Sequence, residues 1–290
     1  MGVEWWFLVI LSAPMNYDHS FHAGNLADVF KHLALSLALQ AMQRKDKGFV
    51  YIDTHAGGGL YGLDAGGEHE AGIGALWKQR ANLPLAKGYF EAIEALNPGG
   101  ELRKYPGSPL IARHLLREQD RMVLFESQPL VLQRLSRIIG RTKGAQALQS
   151  DGYAGVLSQI PPPEKRGLIL IDPPFEARDE FERLTKTLSS AWRKWPQGVY
   201  IAWYPIKARG LISTFHRKLR EAGLPATVIE FLNHPEDKPE RLNGSGLVVI
   251  NPPWQFIDPL LPSLAQIGPQ VADPATGSIW SLRVDGWPGG

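Results

Sequence analysis

The sequence predicts an α/β protein built on one doubly wound, mostly parallel sheet, and three observations predict it. Short apolar runs alternate with segments of helical period through most of the chain. The run at 167–172 is continuously apolar, as a strand covered on both faces should be. Polar residues gather where the apolar runs end, and that is where such sheets hold their ligands. A chain of 290 residues can bury one large core, and 44% hydrophobic with 21% charged residues is ordinary for a globular protein.

The elements follow in order. Asn25 can cap a helix over 26–43, where Leu26, Val29, Phe30, Leu33, Leu37 and Ala41 share one face. After a charged turn, a strand over 49–53 runs into Thr54-His55-Ala56-Gly57-Gly58-Gly59. Residues 61–104 then break the alternation: glycines, no convincing strand, and helix-like pieces near 72–80 and 86–96. They are read as a helical insertion subdomain in a main domain of 15–60 and 105–290, with 1–14 as an N-terminal extension without function.

Alternation resumes with a helix over 109–118, which Ser108 can cap, proline being tolerated in the first turn. Strands are expected at 122–126, 145–149, 167–172 and 199–204, with helices at 130–139, 152–159, 181–195 and 207–222 between and after them. Two last strands, 227–232 and 246–250, close a seven-stranded sheet as an antiparallel pair, because no helix separates them. The Pro/Gly-rich stretch after Pro269 is expected to be weakly ordered.

Composition excludes several chemistries. Without cysteine there is no disulfide, thiolate zinc site or cysteine nucleophile, and the histidines lack metal-ligand spacing, so no metal is expected. A net charge of +2 does not announce a nucleic-acid partner. Two basic groups, Arg134, Arg137, Arg141 and Lys143, and Arg209, Arg217, Lys218 and Arg220, read first as solvated helix faces. The apolar stretch 5–13 is too short to span a bilayer and lacks a basic flank, so a cytoplasmic protein with no membrane partner is expected.

Four successive strand ends carry acids: Asp53, Glu126, Asp151 and Asp172. The glycine turn after Asp53 lets backbone approach a ligand closely, but it is not a dinucleotide fingerprint. Glu126 is placed to hold ribose hydroxyls, and Asp151 with Gly152 suits an adenine amino group. Together they describe a nucleoside with a charged tail; S-adenosylmethionine fits better than NAD, because no phosphate cradle is needed.

Asp172-Pro173-Pro174-Phe175 gives the reaction. An aryl amine is a poor nucleophile because its lone pair is delocalised. A carboxylate at Asp172 and the Pro173 carbonyl, each accepting one N–H, can turn the amine toward a tetrahedral shape and free that pair. The prolines stiffen the turn, and Phe175 can stack on the base. Asn251-Pro252-Pro253-Trp254 matches the same loose pattern, but its place in the sheet order puts it away from the cofactor crevice. The residues alone specify methyl transfer to a planar amino nitrogen, with adenine N6 favoured. DNA adenine, protein glutamine and a catalytically silent RNA-binding protein of this fold remain as alternatives.

Longer motifs carry a resemblance. Tyr17-x-His19-x-Phe21-His22-Ala23-Gly24-Asn25-x-x-Asp28-Val29-x-Lys31-His32, Asp53-Thr54-His55-Ala56-Gly57, Tyr105-Pro106-Gly107-Ser108-Pro109, 167–174 and Asn251-Pro252-Pro253-Trp254 resemble the RlmJ family of bacterial 23S ribosomal RNA adenine-N6 methyltransferases. The resemblance runs from Met15 to about Trp280. It implies a Rossmann-like S-adenosylmethionine-dependent methyltransferase fold, and cofactor contacts from Lys31, His32, His55, Ser108, Glu126, Asp151 and Gly152. It further implies that Asp172 is catalytic, that Tyr17 touches the RNA, and that the substrate is 23S ribosomal RNA, protein-free or in an assembly intermediate, met by a monomer. The family begins two residues before its tyrosine, where Met15 stands, so 1–14 are expected to be an upstream start or a tag. Position 175 departs from the family, which usually has tyrosine there.

Overall fold

In a computed structural model, residues 21–272 and 277–289 are described. Alternate residues of the central strands face opposite layers, and that alternation builds two cores. From β1 (Val50–Asp53), Tyr51 enters one core while Val50 and Ile52 enter the other. The first core is covered by α1 (Leu26–Gln43) on the face it shares with Tyr51, Leu168 and Leu170. Asn25 caps α1 by accepting the Asp28 N–H at 3.0 Å, as expected.

The chain next makes β2 (Leu60–Gly62), α2 (Ile73–Trp77), α3 (Lys87–Glu94) and β3 (Lys104–Pro106). No strand was expected in this stretch, yet β2 and β3 pair antiparallel and close its neck, Tyr61 opposite Tyr105. Both are too short to show a period of two. Then follow α4 (Ser108–Leu115), β4 (Arg121–Glu126), α5 (Pro129–Ile139), β5 (Ala145–Gln149), α6 (Gly152–Gln159), β6 (Gly167–Ile171) and α7 (Glu180–Lys194). The last elements are β7 (Val199–Ile206), α8 (Arg209–Glu221), β8 (Ala226–Leu232), β9 (Gly244–Ile250), α9 (Ile257–Val271) and β10 (Ser281–Trp287).

The main sheet has eight strands in the order β10-β8-β9-β7-β6-β1-β4-β5. From β7 to β5 every pairing is parallel. β9 lies antiparallel between β7 and β8, so its carboxyl end reaches the sheet edge opposite to theirs.

Two expectations need correction. The sheet has an eighth strand, and the stretch beyond Pro269 contains it: β10 pairs antiparallel along all of β8. The Trp287 indole N–H donates to the Leu224 carbonyl at 2.8 Å, and Trp280 packs so closely on Gly268 that a Cβ there would lie 2.3 Å from its ring. Pairing with the β8 edge orders a segment whose composition suggests none. Pro262 and Pro269 similarly disguise α9, although Leu260, Leu264, Ile267 and Val271 bury one helical face. No helix among the described residues is long and apolar enough to cross a membrane.

Candidate active site

The carboxyl ends of β5, β4, β1, β6 and β7 lie side by side, and the acids found in the sequence stand along that edge. Asp53 ends β1 and is fully buried. Its carboxylate accepts the Tyr51 hydroxyl at 2.7 Å and the His55 N–H at 3.2 Å. Burial pushes the Asp53 carboxyl up to about 6; the Ser108 and Tyr51 hydroxyls oppose that shift, and nearby Asp172 adds to it. Ser108 therefore works differently from the sequence expectation. Helix α4 begins at Ser108 itself, Gly107 is the capping position, and the hydroxyl turns to Asp53.

Glu126 ends β4 and fastens the glycine turn to it. Its carboxylate accepts the Gly57 N–H at 3.1 Å and the Gln128 N–H at 2.8 Å. Gly57 has φ +63°, and a Cβ there would lie 2.6 Å from the Tyr61 hydroxyl, so no other residue fits without movement. One strand over, Asp151 caps α6 through the Ala154 N–H at 3.1 Å and accepts Arg183 of α7 at 2.9 Å. Gly152 follows because a Cβ there would lie 1.8 Å from the Thr54 carbonyl oxygen.

His55 stands against Tyr153, ring centroids 5.1 Å apart, and shares a 2.7 Å hydrogen bond with the Thr54 hydroxyl. Burial lowers its pKa to about 4, with Asp151 pulling it up and Arg183 pushing it down, so the ring is neutral at pH 7.

Asp172 leaves β6 beside Lys31. The Lys31 ammonium is 5% exposed, pairs with Asp172, and lies 3.0 Å from Asp28. Burial works against its charge, but Asp172 and Asp28 outweigh burial and hold its pKa above the ordinary lysine range. Lys31 therefore remains a cation between two carboxylates. His32, next in the helix, points elsewhere: its Nδ1 shares a 2.8 Å hydrogen bond with the Tyr105 hydroxyl, which meets Tyr89 at 3.0 Å. That chain ties α1 to β3 and α3.

The turn after Asp172 is strained in one place. Phe175 has φ +53°, a left-handed conformation that costs a bulky residue about 1–3 kcal/mol. The strain turns its ring inward, to centroid distances of 4.8 Å from Phe181 and 5.7 Å from Trp203.

Trp203 went unnoticed in the sequence. The β6–β7 register sets Ile171 beside Ala202, which brings Trp203 level with Asp172; its ring also lies 5.7 Å below the Lys31 ammonium. Its indole N–H is buried with no hydrogen-bond partner. The available signal was an aromatic at the end of the strand next to the one bearing Asp172. Asp28 and Arg183 were missed too, each acting through a distant partner. Tyr17 lies outside the described residues.

Asp28, Asp53 and Asp172 with Lys31 leave this edge acidic, and the deeply buried Lys31 cation is committed to two of those acids. Such a site suits a ligand with positive charge and repels a phosphate, which is the balance a sulfonium nucleoside with an amino-acid tail requires. In the same turn as Gly57, Gly58 has open space where a Cβ would stand, so its backbone can be approached closely beside Glu126.

A family model described as "Ribosomal RNA large subunit methyltransferase D, RlmJ" matches residues 46–283. A ribosomal RNA large subunit methyltransferase J from Haemophilus influenzae is 39% identical over 278 residues, 93% of this chain and 98% of the relative. Its counterpart from Escherichia coli is 38% identical over 248 residues, 83% and 89% of the two chains. A crystal structure of a Legionella pneumophila protein superposes with a TM-score of 0.85 at 35% identity, covering 91% of this chain and 98% of that one. By its fold, by the acids along one sheet edge and by these likenesses, the chain belongs to the RlmJ family of ribosomal RNA large subunit methyltransferases.

Proposed function

We propose that the edge from β5 to β7 is where this protein methylates the N6 amino group of an adenine in 23S ribosomal RNA, with S-adenosylmethionine as donor. The observation that carries the assignment is Asp172, held by Lys31 at the end of β6 and flanked by Phe175 and Trp203. S-adenosylmethionine supplies an electrophilic methyl group on a sulfonium.

The protein's own residues do the rest. Asp172 and the Pro173 carbonyl would each accept one N–H of the adenine amine and so orient its lone pair, and Asp172, directly or by way of water, would take the proton the amine gives up. Phe175 and Trp203 bound the base, the unpartnered indole N–H offering a donor to a ring nitrogen. Glu126 would hold the ribose, Asp151 and Gly152 the cofactor's adenine, and Asp53 with Ser108 its ammonium. His55, neutral at pH 7, adds no competing charge. Lys31 acts through Asp172, and His32 fixes the insertion, residues 61–104, against a methyltransferase domain of 15–60 and 105–290. Tyr17 meets the RNA.

Incubating the protein with labelled S-adenosylmethionine and, separately, protein-free 23S ribosomal RNA, DNA and protein tests this. N6-methyladenosine should appear in the RNA alone; label confined to DNA adenine or to glutamine would replace the assignment.

A further inference from the structure

The second Pro-Pro motif is not idle surface. It ends β9, which runs opposite to the parallel strands of the sheet, so it opens on the sheet edge opposite to Asp172. There an open groove of about 430 Å³ is lined by Pro225, Thr227, Asn251, Pro252, Trp287 and Pro288. Two arginine–tryptophan pairs stand at this edge, one of them on the groove's own Trp287. The Arg44 guanidinium lies 5.7 Å from the Trp254 ring centroid, and the Arg220 guanidinium lies 4.1 Å from that of Trp287. Trp254 is 75% exposed.

Basic side chains continue the surface beyond Trp254. Arg166 donates to the Met42 carbonyl at 2.7 Å and to the Lys47 carbonyl, which brings the turn carrying Lys165 beside the one carrying Arg44, Lys45 and Lys47. Those four exposed cations face one exposed carboxylate in the same two turns, Asp46. Arg220 is partly neutralised by Asp285 at 2.9 Å.

We infer that this face is a second RNA-binding surface, which grips a part of the substrate RNA remote from the target adenine. Spaced cations recruit phosphates, and aromatic faces beside them stack bases without reading sequence. A prolyl and tryptophan groove accepts the flat face of an unpaired base, while Arg44, Lys45, Lys47 and Lys165 follow the backbone. The inference rests on the RNA assignment above. Five strand residues, about 17 Å, separate Gly198 at this edge from Trp203 beside Asp172, and the path round the flank is longer. An RNA that engages both must wrap this flank, which a long RNA does more readily than a short stem-loop.

The test compares binding and initial-rate methylation on two RNAs: full-length protein-free 23S ribosomal RNA, and a short stem-loop around the modified adenine. The proteins are wild type, Trp254→Ala, and the triple variant Arg44→Glu, Lys45→Glu, Lys47→Glu. Wild type should bind the long RNA more tightly. Each variant should raise Kd and KM for the long RNA about tenfold, leave the short one within about twofold and leave kcat unchanged. The triple variant should also flatten the salt dependence on the long RNA by roughly two to three slope units. Unchanged affinity for the long RNA, or equal losses on both, would overturn the inference. If wild type methylates neither RNA, the substrate assignment fails while the Kd difference still reports on this surface.

Discussion

Asp172–Phe175 and Asn251–Trp254 are nearly the same peptide at the end of nearly the same kind of strand, and only one of them lies in the acid-lined crevice. Three differences separate them. β6 runs with its neighbours and delivers Asp172 among Asp53, Asp28 and Lys31, whereas β9 runs against its neighbours and delivers Asn251 to the opposite edge. The left-handed residue is the fourth in one, Phe175 at φ +53°, and the first in the other, Asn251 at φ +52°. Phe175 consequently turns in upon Phe181 and Trp203, while Trp254 turns out. The leading side chain also differs in its work. The Asn251 amide donates to the Pro196 and Gly198 carbonyls at 2.6 and 2.8 Å, stitching β9 to the start of β7, whereas Asp172 pairs with the Lys31 ammonium. A Pro-Pro turn is thus a stiff bracket, and strand direction decides whether it brackets chemistry.

The largest effect is expected at the first residue of the Asp172 turn. Asp172→Ala should lower methyl transfer at least about a thousandfold, through lost orientation and lost proton acceptance together, in a single-turnover assay with cofactor saturating. At the fourth position, Phe175→Ala and Trp203→Ala should each raise KM for a short RNA by roughly ten- to a hundredfold, the worth of one stacked base, with cofactor Kd nearly unchanged. Phe175→Tyr, which restores the family's usual residue, should change that KM by less than about threefold; a larger change would show that the phenol has a partner in this site.

Asp53 gives a pH-dependent test of what one edge has and the other lacks. Its folded pKa, about 6, exceeds its unfolded value, so the fold favours the protonated form. The resulting penalty vanishes below the unfolded pKa, is small at pH 4, grows between pH 4 and 6, and has its full size above pH 6. Asp53→Asn should therefore raise Tm of the cofactor-free protein by about 2–5 °C at pH 8 and by almost nothing at pH 4. The same variant should weaken cofactor binding about ten- to a hundredfold at pH 8, which calorimetry would read. The smallest effect belongs to the second motif: Asn251→Ala should cost about 1–2 kcal/mol in denaturant unfolding and leave kcat unaltered.

The fold and the acids were legible because their signals are local. A strand, the residue that ends it and the helix after it lie within a few positions, so Asp53, Glu126, Asp151 and Asp172 declared themselves, as did the Asn25 cap. What the sequence hid is non-local. Trp203 matters because of the β6–β7 register, Asp28 because Lys31 bends back to it, and Arg183 because α7 lies over Asp151. Ser108 looked like a helix cap and is a partner of Asp53, since a hydroxyl in the first turn can serve either. β10 stayed hidden because an edge strand with one shielded side needs no clean alternation, and α9 because two prolines interrupt its sequence without ending it.

If chemistry belongs to the Asp172 edge, a crystal structure of the protein with S-adenosylhomocysteine will hold the ligand there. The nucleoside should lie between the Gly57 turn and Gly152, with ribose on Glu126, adenine toward Asp151, and the sulfur facing Asp172. Density for that ligand in the groove beside Asn251, with the Asp172 edge empty, would contradict it.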